Sequence, residues 1–300
     1  MVIAFSTDPL PALAITPIES EFLHQDKVSL SMLRADLVDA RLSGNKYFKL
    51  LPNLALAHEL QCDTLLSFGG PWSNHLHALA AAGQQYGLRT IGIVRGESPG
   101  KLTPCLQDAR HWGMDLHFVS RSDYARRHEP HWHLQLLHRF GPHLLIPEGG
   151  ANKAGILGCQ QLIPESHDFT HILLACGTGA TLAGVVSKSK VPVHGIQVLK
   201  GEGYLQQEVQ RLLALAGVSA TVPWHMHDEF HLGGYARFPA ELLTFMARCE
   251  HETGIPLEPV YGARLLWATQ ELVRRNVFPP GARLLLVHGG GLQGRRSLLQ

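Results

Sequence analysis

The sequence predicts an α/β protein built on mostly parallel sheets, and three observations predict it. Short runs of aliphatic and β-branched residues alternate with helical stretches. Several of these runs are almost continuously apolar, as strands covered on both faces are. Glycine pairs punctuate their carboxyl ends. A helix after nearly every strand calls for right-handed crossovers between parallel strands. Three hundred residues leave one large domain or two coupled ones open.

In chain order, strands are expected at 64–68, 89–94, 116–119, 144–147, 171–176, 194–199 and 283–288. Between them, Thr103 caps a helix whose first residue is Pro104 and which closes at Gly113; Pro239 opens another that ends before Gly254. The pairs Gly69 and Gly70, Gly149 and Gly150, Gly233 and Gly234, and the run from Gly289 to Gly291 sit where open α/β sheets bind ligands, beyond the strand ends. Residues 121–139 are the most polar stretch and read as a solvated helix and loop.

Bulk properties exclude several classes. With 17% charged residues and a formal net charge of +1, nothing electrostatic calls for nucleic acid or an anionic membrane. The longest apolar run, around 284–287, is far short of a bilayer span, and the first eleven residues lack a signal-peptide pattern. Five scattered cysteines without a C-x-x-C suit a reducing compartment, so a cytoplasmic protein is expected. The nineteen histidines have no metal-ligand spacing. Those at 128, 131, 133, 138 and 143, and at 225, 227 and 231, are read as solvated surface side chains, and no metal is expected.

Four segments can carry chemistry. In Arg41-Leu-Ser-Gly-Asn-Lys46-Tyr-Phe-Lys49, a deprotonated Lys46 could form an imine with an aldehyde cofactor, Lys49 supplying the charge one helical turn on. Standing alone, such a lysine is usually exposed and inert. In Gly69-Gly-Pro-Trp-Ser73-Asn74-His75, Ser73 sits at a helix start, where free N–H groups attract a carboxylate; a plain serine cap is the equal alternative. Gly177-Thr178-Gly179-Ala180-Thr181 follows a strand and opens a helix, a cradle for one phosphate. It is not a dinucleotide fingerprint, because Leu182 stands where the third glycine belongs and no acid ends the next strand. In Pro259-Val-Tyr261-Gly262, Tyr261 opens a helix and could be an acid or base if it faced a cleft.

Together and in this order, these segments resemble the family of 1-aminocyclopropane-1-carboxylate deaminase and D-cysteine desulfhydrase, pyridoxal-phosphate enzymes of the tryptophan-synthase-β fold. The likeness runs from about Thr16 to Gly294 and includes Glu148-Gly-Gly-Ala-Asn-Lys-Ala-Gly. It implies two domains with twisted, mostly parallel sheets: a large cofactor-binding domain of 1–46 plus 148–300 and a small inserted domain of 47–147. It implies pyridoxal 5'-phosphate on Lys46, with Asn74 on the cofactor's phenolic oxygen and the loop of Gly177, Thr178, Gly179, Ala180 and Thr181 on its phosphate. Ser73, Asn74 and His75 would face the substrate carboxylate. Tyr261 would be the acid or base opposite Lys46, with Lys49 assisting and Tyr235 a second active-site tyrosine.

The expected activity is that of a lyase or deaminase like D-cysteine desulfhydrase, releasing a 2-oxo acid and ammonia, with sulfide from D-cysteine. A 1-aminocyclopropane-1-carboxylate deaminase, a hydrolase by class, and a non-catalytic cofactor binder are the alternatives, and a homodimer is the expected assembly. Two departures bear on the choice. Gly262 and Gly289 stand where the family carries side chains near the cofactor's pyridine nitrogen, which leaves His288 as a candidate partner there. A weaker sink for charge favours a substrate with a good leaving group.

Overall fold

The computed structural model describes residues 11–20, 28–234 and 237–299. Its strands are β1 (Ile15–Pro17), β2 (Val28–Leu33), β3 (Thr64–Gly69), β4 (Arg89–Arg95), β5 (Asp115–Val119), β6 (Leu144–Ile146), β7 (His171–Cys176), β8 (Val193–Gln197), β9 (Trp224–His227) and β10 (Ala282–Val287). The helices are α1 (Asn45–Glu59), α2 (Asn74–Tyr86), α3 (Pro104–His111), α4 (Arg121–Ala125), α5 (Pro130–Phe140), α6 (Lys153–Cys159), α7 (Ala180–Val186), α8 (Tyr204–Ala216), α9 (Ala240–Thr253) and α10 (Gly262–Arg274). They form two sheets, ordered β1-β2-β10-β7-β8-β9 and β5-β4-β3-β6. Among the strands of the described residues only the β1–β2 pairing is antiparallel. The expected α/β class with mostly parallel sheets is what the chain adopts.

The central strands of both sheets, β3 and β4 in one and β7, β8 and β10 in the other, are covered on both faces, which explains their apolar runs. In β7, Leu173 packs with Leu266 of α10 and Phe245 of α9, while Ile172 and Leu174 face Ile156, Ala183 and Leu212 of α6, α7 and α8. In β3, Leu65 meets Leu54 and Leu79 of α1 and α2, and Leu66 and Phe68 meet Tyr124, Trp132 and Leu136 of α4 and α5. Helix α1 joins the two cores: Phe48 packs with Ile156 and Cys159, and Leu50, Leu54 and Ala57 pack under the smaller sheet. Its start is fixed by Gly44, at φ 71°, where a Cβ would lie 1.9 Å from the Gly289 carbonyl oxygen. Only glycine lets α1 begin against that loop.

All seven expected strands form within two residues of their expected ends. Three were not anticipated: β1, β2 and β9. The stretch 121–139 is more ordered than its polarity suggests, for α4 and α5 bury Tyr124, Trp132 and Leu136. The histidine expectation also needs correction. His128, His131, His138 and His225 are exposed, but His133, His143, His231 and His227 are partly buried, His227 stacked on buried His194 at 5.3 Å with their nitrogens 3.0 Å apart. Cross-strand packing, invisible in spacing, places it there. Four of the five cysteines are buried and none is paired. Among the described residues no helix is long and apolar enough to cross a membrane.

Candidate functional site

A cavity of about 200 Å³ opens between the two sheets, against the carboxyl ends of β3, β4, β7 and β10 and the first turns of α1, α2 and α10. Lys46 enters it from the first turn of α1, its Nζ donating to Asn45 Oδ1 at 2.7 Å. Burial, helped by the charge of Lys49, lowers its amine to about 7, against the opposing pull of Cys159 and Glu258. About half of such amines are neutral at pH 7, and a neutral amine attacks an aldehyde. Lys49, one turn on, is buried; its Nζ donates to the Gly149 carbonyl at 2.9 Å, and burial lowers it too.

The β3 end turns through Gly69 and Gly70 into α2. Ser73 is the N-cap, its Oγ accepting from the Leu76 N–H at 3.2 Å. Asn74 and His75, the first residues of α2, line the same cavity as Ser73, and the amides at a helix start have no carbonyl partner within the helix. Asn74 Oδ1 accepts from Gln293 Nε2 at 2.9 Å, so the group it can offer is the Nδ2 donor. Gly291, at φ 82°, lets the C-terminal segment pass, since a Cβ there would come within 2.3 Å of that Nδ2.

The His75 ring is committed elsewhere. Ser67 Oγ donates to the Ile146 carbonyl at 2.6 Å, so it accepts from His75 Nε2 at 2.9 Å. Nδ1 is then a bare acceptor, buried and without a partner among the described residues. Burial and the two lysines hold the ring neutral, well below the usual histidine range. His75 can offer an anion its main-chain N–H, not its ring.

The loop from Gly177 to Thr181 leaves β7 and opens α7 through Gly179, at φ 80°. Thr181 Oγ1 accepts from Asn45 Nδ2 at 2.7 Å, tying this loop to the lysine helix. The Tyr261 ring lies against it: a Cβ on Gly177 would stand 2.9 Å from the Tyr261 Oη. Buried Glu258 holds the turn before Tyr261, accepting from the N–H groups of Val260, Tyr261 and Gly262 at 2.8, 2.6 and 2.7 Å. Burial raises its carboxyl to about 7 despite those three donors.

Lys46, Lys49, Ser73, Asn74, His75, Gly177, Thr178, Gly179, Thr181 and Tyr261 thus line one cavity, with Gly262 and Gly289 beside them. Ala180 is buried beneath the loop as the first residue of α7, and Tyr235 lies outside the described residues. His288 is turned away: its Nε2 donates to the Pro256 carbonyl at 2.7 Å and its Nδ1 accepts from the Gly290 N–H at 3.1 Å. Both nitrogens are used, so it is no partner for a ring in the cavity. Sequence reasoning missed Asn45, Arg95 and Gln293. Asn45 adjoins the lysine and Arg95 ends a strand, both weak signals; nothing marked Gln293.

These groups fit a flat aldehyde bearing a phosphate and an anionic ring oxygen. The near-neutral amine suits the aldehyde, the glycine loop the phosphate and the Asn74 amide the oxygen. At Gly289 a Cβ would meet nothing within 4 Å, so there is open space for a ring.

The comparisons agree. The family model described as "Pyridoxal-phosphate dependent enzyme" matches residues 43–290. A bifunctional D-cysteine desulfhydrase/1-aminocyclopropane-1-carboxylate deaminase, mitochondrial, of Arabidopsis thaliana is 30% identical, over 87% of this chain and 72% of that one. A putative 1-aminocyclopropane-1-carboxylate deaminase of Thermotoga maritima is 28% identical over 94% and 96%. The crystal structure of a 1-aminocyclopropane-1-carboxylate deaminase homologue shares the fold with a TM-score of 0.82, at 24% identity, covering 95% of this chain and 91% of that one.

Proposed function

This chain belongs to the family of pyridoxal-phosphate dependent enzymes, and from that premise we propose that it is an amino acid lyase. It releases a 2-oxo acid and ammonia from small amino acids carrying a good leaving group, as a D-cysteine desulfhydrase does, with sulfide as the product partner from D-cysteine. The observation that carries this reading is the Lys46 amine, lowered to about 7 by burial in a cavity that is also lined by the start of α2 and by Tyr261.

Pyridoxal phosphate, when bound, supplies an aldehyde for an amine and a ring that takes up negative charge from Cα. Lys46 would hold its aldehyde carbon, Asn74 Nδ2 its phenolic oxygen, and the amides of Gly177 to Thr181 its phosphate. Ser73 and the first amides of α2 bind the substrate carboxylate and fix Cα beside Lys46. A freed Lys46 amine near pH 7 is matched to take the Cα proton, and Tyr261 stands ready to give or take one at the leaving group. Gly262 and Gly289 have no side chain that could bond the pyridine nitrogen of the bound cofactor, which supports a good leaving group over the strained ring of 1-aminocyclopropane-1-carboxylate.

The same reading divides the chain into a large unit of 1–46 plus 148–300 and an inserted unit of 47–147, with α1 the joint, and takes the enzyme to be a cytoplasmic homodimer. Amino acids of both enantiomers, screened for ammonia and 2-oxo acid, test the activity. D-cysteine and β-chloro-D-alanine should be consumed; release of product from none of the panel would refute it.

A further inference from the structure

Arg95 is the last residue of β4, at the end of a parallel strand where such sheets bind ligands. Its exposed side chain lines the cavity beside Gly70 and Trp72, and a Cβ on Gly70 would stand 3.4 Å from its Nη2. An aromatic ring supports it: the guanidinium lies 5.8 Å from the centre of the buried Tyr124 ring, with Arg127 5.0 Å from the same ring. The carboxylate on this wall, Glu148, is taken by Arg127, whose Nε lies 2.8 Å from Glu148 Oε2. Among the described residues no carboxylate forms an ion pair with Arg95.

A guanidinium placed in this way is an unneutralised cation on a ligand-facing wall, and its planar fork fits a carboxylate or similar anion. The two anions already assigned have other partners, the phosphate at the Gly177 loop and the α-carboxylate at Ser73. We propose that Arg95 determines specificity by receiving an anionic group borne on the substrate's side chain. An amino acid with an acidic side-chain substituent then binds more tightly than its neutral isostere, while small substrates such as D-cysteine are turned over without that contact. This inference rests on the reading of the cavity as an amino acid site with its α-carboxylate at the start of α2.

The test titrates the holoenzyme with glutamate against glutamine and aspartate against asparagine, in both enantiomers, following the cofactor's visible absorption. The acid of at least one pair should bind about tenfold or more tightly than its amide, the value of one charge-assisted hydrogen bond. Arg95→Gln should bring that ratio close to one, and Arg95→Lys should keep part of it. Equal binding of acid and amide by the unmodified enzyme overturns the inference. So does an Arg95→Gln variant that weakens acid and amide by the same factor, which would make Arg95 a partner of the α-carboxylate. If no amino acid alters the absorption, the amino acid site itself is refuted; if the amides alter it but no acid is preferred, Arg95 alone is.

Discussion

Replacing Ser73 separates its two assigned tasks. Its Oγ accepts the Leu76 N–H at 3.2 Å as the cap of α2, and it borders the cavity where a substrate carboxylate is expected. Ser73→Ala removes both contributions. Loss of the cap should cost about 1 kcal/mol of stability. Loss of a charge-assisted bond to the carboxylate should cost roughly 1.5–3 kcal/mol of transition-state binding, about 10- to 150-fold in kcat/KM. Ser73→Asp keeps a good cap and a favourable charge at the helix start, so its stability should stay within about 0.5 kcal/mol of the parent. Its carboxylate, however, repels the substrate's own, so kcat/KM should fall below that of Ser73→Ala. Urea denaturation and steady-state kinetics on D-cysteine read the two effects independently. If Ser73→Asp turns over normally, or if activity simply follows stability across the pair, Ser73 is a cap and nothing more.

Four other outcomes follow from the site. The Lys46 amine is lowered to about 7, so cofactor uptake by the apoenzyme should speed up as pH rises through about 7 and level off above it. In Lys49→Met, which removes the neighbouring charge, the rise should move to higher pH; an unmoved profile would show that Lys49 does not act on Lys46. At Gly289, where a Cβ meets nothing within 4 Å, Gly289→Thr should fold normally and raise turnover of 1-aminocyclopropane-1-carboxylate relative to D-cysteine, and a falling ratio would refute the argument from the missing ring partner. Gly262→Glu is the poorer probe, because a Cβ there lies 3.8 Å from Glu258 Oε1 and would set two carboxyls side by side. Glu258→Ala strands three N–H groups, those of Val260 and Gly262 buried and that of Tyr261 partly so, and should cost about 2 kcal/mol or more in denaturant; a loss below about 1 would show that the turn does not depend on it.

How much of this was legible in the sequence depended on the range of the interaction. Five of the seven anticipated strands, β3, β4, β7, β8 and β10, are mostly buried, so their apolar runs announce them, whereas β5 and β6 are only partly covered. The strand β2 reads Val-Ser-Leu-Ser-Met-Leu and β9 reads Trp-His-Met-His, patterns of partly covered strands that polar residues disguise. Local motifs placed Ser73 as a cap and Gly179 as a loop hinge, because caps and turns are written within a few residues. What the sequence could not show were contacts between distant segments. Asn45 meets Thr181 across 136 positions and Asn74 meets Gln293 across 219. Likewise the committed ring of His288 and the supported guanidinium of Arg95 depend on partners only the fold supplies.

The proposed chemistry requires that Lys46, and not another lysine, carry pyridoxal phosphate. The direct measurement is borohydride reduction of the yellow holoenzyme followed by peptide mapping. One modified peptide with the label on Lys46 is expected, and a Lys46→Ala variant should fold, take up no label and turn over no substrate. A label on Lys49 or Lys153, or a Lys46→Ala protein that is labelled elsewhere and remains active, would contradict it.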